Sequence, residues 1–460
     1  MTGWKHSASN AAALIEYLHC LRAHIMHDYP IRDILVLGMG GSALGARTYA
    51  DHYAGELAHL GVRLRIVDTT EPIGVRAILC DLDPARCLVI VSSKSGGTIE
   101  PLCLAQIFFD HVARALGSEA AAARHFIAIS DEGTVLSRLA EEQNWRAAIA
   151  TPASIGGRYS ALTAFGLAPI VLAGIAPHQL IESAIDAEMQ CNAQRPHSEA
   201  YSLAQSMYQN LLDGRDKLVI GYSAETESFA RWLEQLIAES LGKDGKGFIP
   251  LPMSQQRANQ LTAYGCPDVQ VLSFANMTTA ELGAALVNWM FSTEALAQML
   301  DVDPFDQPNV EAVKLATRGM LAASQAAGGT QNHMAQLLAD PGIADAQHMP
   351  ELVDPDSYIV ILAWSPMNAE TTASLERLAQ SFEEYYQRPV VIAEGPHYLH
   401  ASGQLYKGGP DKGVYVIVTQ DLHDDLVIPG ANYSLRQLYR AGFGGDIEVM
   451  LRLHKKLVKL

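Results

Sequence analysis

Short apolar runs alternate with helix-patterned stretches along most of this chain, and that alternation restricts its fold more than any other feature. Runs at 34–37, 64–67, 88–91 and 126–129 recur in the first half, and runs at 218–220, 248–251, 269–274, 358–363, 390–393 and 414–418 in the second. Strands separated by helices predict βαβ units and parallel sheets covered on both faces, an α/β fold. A chain of 460 residues predicts two domains, drawn here as 1–180, with a helical lead-in, and 181–460. A polar helical stretch over 176–216 connects them, and 324–350, rich in Ala, Gly and Gln, reads as a loop with a short helix.

Composition removes several function classes. At 49% hydrophobic residues the chain can bury large cores. The longest apolar helical pattern, 278–300, is interrupted by Glu281, Asn288, Glu294 and Gln298, so it reads as a core helix and not a membrane span. The opening MTGWKHSASN lacks the basic-then-apolar pattern of an export signal. Cys20, Cys80, Cys87, Cys103, Cys191 and Cys266 have no close pairing, which argues against a metal site and predicts free thiols in a reducing, cytoplasmic setting. A formal charge of −17 disfavours nucleic acid and anionic membrane as partners. An anionic ligand would need positive groups gathered locally against that field.

The chemistry-bearing stretches are few. After the first strand comes Gly38-Met39-Gly40-Gly41-Ser42-Ala43-Leu44-Gly45, which does not keep the G-x-G-x-x-G order of a dinucleotide turn. After the third comes Ser92-Ser93-Lys94-Ser95-Gly96-Gly97-Thr98, leading into a helix. Hydroxyls, glycines and a Lys before a helix N-terminus are what a phosphate requires: free N–H groups, hydroxyl donors and a positive dipole end. A simple helix cap needs only one hydroxyl. Arg158 follows Gly156-Gly157, which lets its backbone come close to a ligand.

The stretch 221–247 reads as a strand end, an amphipathic helix and a basic glycine loop. Phe229, Trp232, Leu233, Leu236 and Ile237 form its apolar face, Glu225 and Glu227 are placed in its first turn, and Gly242 ends it. Gln235 and Glu239 share one side, with Lys243 four residues beyond Glu239. The helix alone leaves two readings: a surface Glu239–Lys243 ion pair, or a half-buried carboxylate used as a base.

Taken in order, GMGGSALG, SSKSGGTIEPL, GGRYSALTAFGL, QLIAESLGK and PFDQPNVEAVK resemble the glucose-6-phosphate isomerase (phosphoglucose isomerase) family. The C-terminal YLHASGQLYKGGPDKG is similar to the isomerase half of bacterial transaldolase–isomerase fusions. The resemblance implies two sugar-isomerase (SIS) domains, a homodimer with its site between the domains, a small sugar phosphate as substrate, and neither cofactor nor metal. It implies that Ser93, Lys94, Ser95 and Thr98 hold the phosphate, helped by Gly41 and Ser42. It implies Glu239 as catalytic base, Arg158 with Gly157 beside the reacting carbons, Gln235 on the substrate, and Lys314 near the ring oxygen. The family's ring-opening His is expected between the Glu motif and the Asp306-Gln307 loop, and this chain has none there. His333, His397 and His400 are the nearest candidates downstream; Lys314, a displaced His or water could take the role. His400 and Lys407 either line the cleft or belong to a folded loop, and the loop reading is preferred. Two other readings share this framework: an isomerase of another sugar phosphate, and a non-catalytic phosphosugar-binding regulator.

Overall fold

The computed structural model describes residues 2–460 apart from Gln194, 328–330 and Asp421, and leaves the side chains of 195, 323–327 and 331–333 undescribed, so the His333 side chain lies outside the described residues. Strands β1 (Asp33–Gly38), β2 (Arg63–Val67), β3 (Cys87–Ser92), β4 (Phe126–Asp131) and β5 (Ala147–Thr151) form one parallel sheet in the order β2-β1-β3-β4-β5. Strands β6 (Lys217–Tyr222), β7 (Ile249–Ser254) and β8 (Val269–Phe274) form a second, β7-β6-β8. Strands β9 (Ile343–Asp345), β10 (Tyr358–Trp364), β11 (Val390–Glu394), β12 (Gly413–Thr419) and β13 (Lys456–Lys459) form a third, β11-β10-β12-β13-β9.

Each apolar run of the sequence is a strand, and the second half spreads its strands over two sheets. Three strands lay outside the sequence expectation. β5 reads AAIAT, with too few branched residues to signal a strand. β9 has 3 residues, and the 4-residue β13 carries Lys at both ends. Both are recruited by their neighbours rather than by their own pattern. Within 324–350, where a loop with one short helix was expected, the described residues include the end of a helix at Ala327, a helix at Gln331–Leu338, and β9.

The helices that matter for the site are α1 (Leu44–His52), α2 (Ile99–Leu116), α3 (Glu227–Leu241), α4 (Thr279–Leu300), α5 (Pro308–Ala327) and α6 (Leu435–Arg452). Strand alternation sends Ile34 and Val36 to one face of the first sheet and Leu35 and Leu37 to the other. The first face shares a core with Phe229, Trp232, Leu233 and Leu236 of α3 and with Leu286 and Met290 of α4. From Ser228 to Leu241 every residue of α3 but Arg231 is buried. The helix is therefore enclosed all round rather than amphipathic at a surface, and its polar residues must find partners inside. It begins at Glu227, so Glu225 precedes it and is not in the first turn. No described helix is long and apolar enough to cross a membrane.

β1 has β2 on one side and β3 on the other, with Leu37 level with Val67 and Gly38 level with Ser92. The chain thus leaves β1 and β3 at a point where the strand order reverses, and their loops diverge to leave a crevice at the carboxyl ends.

Candidate active site

The loop after β1 and the loop after β3 are stitched together. Ser92 Oγ donates to the carbonyl of Ser42 at 2.6 Å, and the Lys94 amide donates to Ser42 Oγ at 3.2 Å. A third loop closes on them: Ser160 Oγ donates to the Gly41 carbonyl at 3.2 Å. Gly41 and Gly157 touch so closely that a Cβ on Gly41 would stand 2.3 Å from the Gly157 carbonyl. This is the reason for glycine at position 41, where the Gly157 backbone leaves no room for a side chain; a Cβ on Gly157 would meet only Gly41 Cα, at 3.9 Å.

A cavity of about 330 Å³ opens at this junction. Gly41, Ser42, Lys94, Ser95, Thr98, Gly157, Arg158, Gln235, Glu239 and Lys314 all line it, together with Asp131, Gln307 and His400. Of the residues expected from the sequence, only Ser93 stays behind the wall, buried and donating through Oγ to Thr98 Oγ1 at 3.2 Å. Thr98 is the N-cap of α2 but caps no backbone N–H with its side chain, so the first amides of an 18-residue helix keep their donors. Lys94 is less free than the sequence suggests. Its ammonium meets both Asp131 oxygens at 2.7 Å, so the loop offers an anion mainly hydroxyls and amides.

Glu239 is buried more deeply than the half-buried carboxylate expected, and the surface ion pair with Lys243 does not form. Glu239 is 3% exposed and its Oε2 lies 3.0 Å from Arg158 Nε. Lys243 turns away to Asp306 at 3.0 Å, the Ser240 carbonyl at 3.0 Å and the Asp303 carbonyl. The turn 303–306 also fixes Arg158: Nη1 donates to the Pro304 carbonyl at 2.6 Å, and Nη2 to those of Phe305 and Asp306 at 3.2 and 3.3 Å. The guanidinium is thus rigid, buried and aimed at Glu239. Burial pushes the Glu239 carboxyl up to about 7, while the charge of Arg158 keeps it from rising further. Gln235 sits one turn earlier, its Nε2 donating to the His400 carbonyl at 2.7 Å. Gln235 lines the cavity, and its Oε1 is buried without a protein partner among the described residues.

Two further groups belong to the site: His400, which the sequence left between cleft and loop, and Glu100, which it did not single out. His400 Nε2 lies 3.0 Å from Glu100 Oε1, the second residue of α2. Burial raises the Glu100 carboxyl, but the His400 ring and its hydrogen bond outweigh that and leave it below its ordinary value. The preferred loop reading of His400 is therefore corrected: it stands on the cavity wall. Lys407 does not line this cavity; it sits on a short helix, Gly403–Gly408, rather than a loop, and pairs with Asp446. Only the fold could bring His400 to Glu100, because the two lie on α2 and a short turn after β11. Lys314, on α5, pairs with Glu311 at 2.7 Å and reaches the cavity from its open side. Among the described residues no group of His, Cys, Asp and Glu side chains is arranged to ligate a metal.

A base of near-neutral pKa, a fixed guanidinium, an imidazole backed by the Glu100 carboxylate and a hydroxyl-rich loop at a helix start are therefore gathered at one cavity. That set can move a carbon-bound proton next to a carbonyl on a phosphorylated substrate.

Residues 24–247 match the family model described as phosphoglucose isomerase. The chain is 35% identical over 220 residues to a glucose-6-phosphate isomerase of Trichormus variabilis, covering 46% of this chain and 40% of that protein. It is 34% identical over 228 residues to one of Staphylococcus saprophyticus, covering 47% and 50%. A third, from Shouchella clausii, is 31% identical over 238 residues, covering 49% and 52%. The chain thus spans about half the length of the curated relatives it matches. Among solved structures, a hypothetical protein from Thermus thermophilus superposes with a TM-score of 0.63 at 23% identity, over 70% of this chain and 90% of that one. A glucose-6-phosphate isomerase from Chlamydia trachomatis gives 0.56 at 17%, over 69% and 74%. These two likenesses bear on the fold.

Proposed function

We propose that this chain, whose residues 24–247 match the phosphoglucose isomerase family model, interconverts glucose 6-phosphate and fructose 6-phosphate in the cytoplasm. The observation that carries the reading is the buried Glu239–Arg158 pair, 3.0 Å apart, on the cavity floor beside the Ser95–Thr98 anion seat. The whole reaction is a proton relay. With the ring open, Glu239 takes the proton from C2 of the aldose, and negative charge develops on O1. Arg158 stabilises that charge, and O1 gains a proton to give the enediol. Glu239 then returns its proton to C1 as O2 loses its own, leaving the ketose. One carboxyl serves both transfers because its pKa lies near neutrality.

His400 is the ring-opening group in this reading. Its imidazole, held by Glu100, passes a proton to the ring oxygen as O1 gives one up. This assigns the role that the sequence left among Lys314, a displaced His and water. Ser42, Ser95, Thr98 and the free amides of α2 seat the phosphate, Lys94 lends charge shared with Asp131, and Gln235 and Lys314 hold the sugar. Anchoring the phosphate supplies remote binding energy that aligns the carbons with Glu239. The family implies a homodimer.

A coupled assay from fructose 6-phosphate to glucose 6-phosphate with the purified protein tests the reading, with Glu239→Gln as control. Turnover that disappears in the variant is expected. Tight sugar-phosphate binding without turnover would instead favour a phosphosugar-binding regulator, and preference for another aldose phosphate would move the substrate but keep the mechanism.

A further inference from the structure

The segment that carries His400 is anchored by a group of buried polar side chains that do not line the catalytic cavity. Tyr398 Oη donates to Asp446 of α6 at 2.6 Å and accepts from Trp364 Nε1 at 3.1 Å. Lys407 Nζ meets the other Asp446 oxygen at 2.5 Å and donates to the Gly403 carbonyl at 3.2 Å. The Lys407 and Asp446 side chains are 1% and 0% exposed. Tyr398 belongs to the same 4-residue 3-10 helix, His397–His400, that ends on the catalytic imidazole. So short a helix has almost no internal hydrogen bonding to hold itself. Its orientation therefore depends on outside anchors: His397 on Asp68 at 2.9 Å, Tyr398 on Asp446, and the His400 carbonyl on Gln235.

A Lys–Asp pair at this depth contributes little net stability over apolar residues of the same shape, but it fixes one geometry. We propose that Trp364, Tyr398, Asp446 and Lys407 are positioning residues that hold the His400 ring against Glu100, and so govern ring opening without entering the proton transfer at Glu239. This rests on His400 being the ring-opening group. At 3.0 Å the His400–Glu100 contact has no slack; a tilt of the 3-10 helix by an ångström would break it, a displacement that costs about 10²-fold in well-oriented reactions.

Ring opening can be isolated by measuring anomer interconversion of glucose 6-phosphate in the Glu239→Gln background, where carbon proton transfer is absent. Adding Tyr398→Phe is expected to slow anomer exchange by about tenfold or more, with the dissociation constant for glucose 6-phosphate unchanged. Asp446→Asn should do the same, and thermal melting of each variant reports whether it folds. If Tyr398→Phe, folded and binding normally, exchanges anomers as fast as its parent, the positioning role is overturned. A rate loss matched by an equal loss of binding overturns it too. His400→Ala in the same background separates the two claims. If it leaves exchange intact, the ring-opening assignment falls and this inference with it; if it abolishes exchange while Tyr398→Phe does nothing, only this inference falls.

Discussion

Glu239 sits in an enclosed helix, so its carboxyl pays the full desolvation of an ion while receiving one guanidinium in return. Desolvation wins, and the group titrates at about 7 instead of 4.5. The free enzyme's kcat/KM should therefore rise with pH around a midpoint of about 7; a rising limb centred near 4.5 would remove Glu239 as the base. The same shift has a stability consequence. Between 4.5 and about 7 the folded chain holds a proton on Glu239 that the unfolded chain has released, so this group lowers stability as pH climbs through that window. Glu239→Gln should lower kcat by ~10²–10⁴-fold while sugar phosphate still binds. Arg158→Ala should lower kcat by ~10²–10³-fold with a smaller change in KM, because its charge matters most when the enediolate forms; a change confined to KM would make Arg158 a simple binding residue. The sequence pointed to these two residues through the resemblance of GGRYSALTAFGL and QLIAESLGK to the family's motifs, while the helix spacing alone left Glu239 between a surface ion pair and a base. Their pairing was not legible there, since local spacing offered Lys243 as the nearer partner, and only the turn at 303–306 draws Lys243 away.

At the scale of elements, the site is a meeting of three loops and one helix. Gly41→Ala would drive a methyl to 2.3 Å from the Gly157 carbonyl, so we expect a loss of ~1–3 kcal/mol by overpacking, together with weaker phosphate binding as the loops part. Chemical denaturation and the KM for fructose 6-phosphate measure the two effects; an unperturbed variant would mean that the loops do not touch in solution. Lys94→Ala should raise KM more than it lowers kcat, and by less than a free lysine would, because Asp131 already neutralises much of its charge. The anion loop was readable because hydroxyls, glycines and a helix start follow one another within a few residues. Its tie to Asp131 was not, because β4 lies in another part of the chain. The strands were readable where they were branched and apolar, and missed where Ala or Lys left neighbouring strands to recruit them.

For the molecule as a whole, the C-terminal third supplies His400 to a cavity otherwise built before residue 315. Specific activity followed on dilution alongside light scattering tests the implied dimer: activity constant through any dimer–monomer transition means that one chain suffices. Activity that falls with the dimer would mean that the partner completes the site. The matched family model covers residues 24–247, and the third sheet and the His400 segment lie beyond it.

Sequence alone determined the parallel α/β architecture, the hydroxyl-rich seat and the carboxylate on its helix. Each of these is written in local periodicity or in a run of adjacent residues. Tertiary structure decided which charges pair, how deeply Glu239 is buried, and that a histidine from the far end of the chain reaches Glu100. Those depend on the path of the backbone between distant segments, which no short window of residues contains.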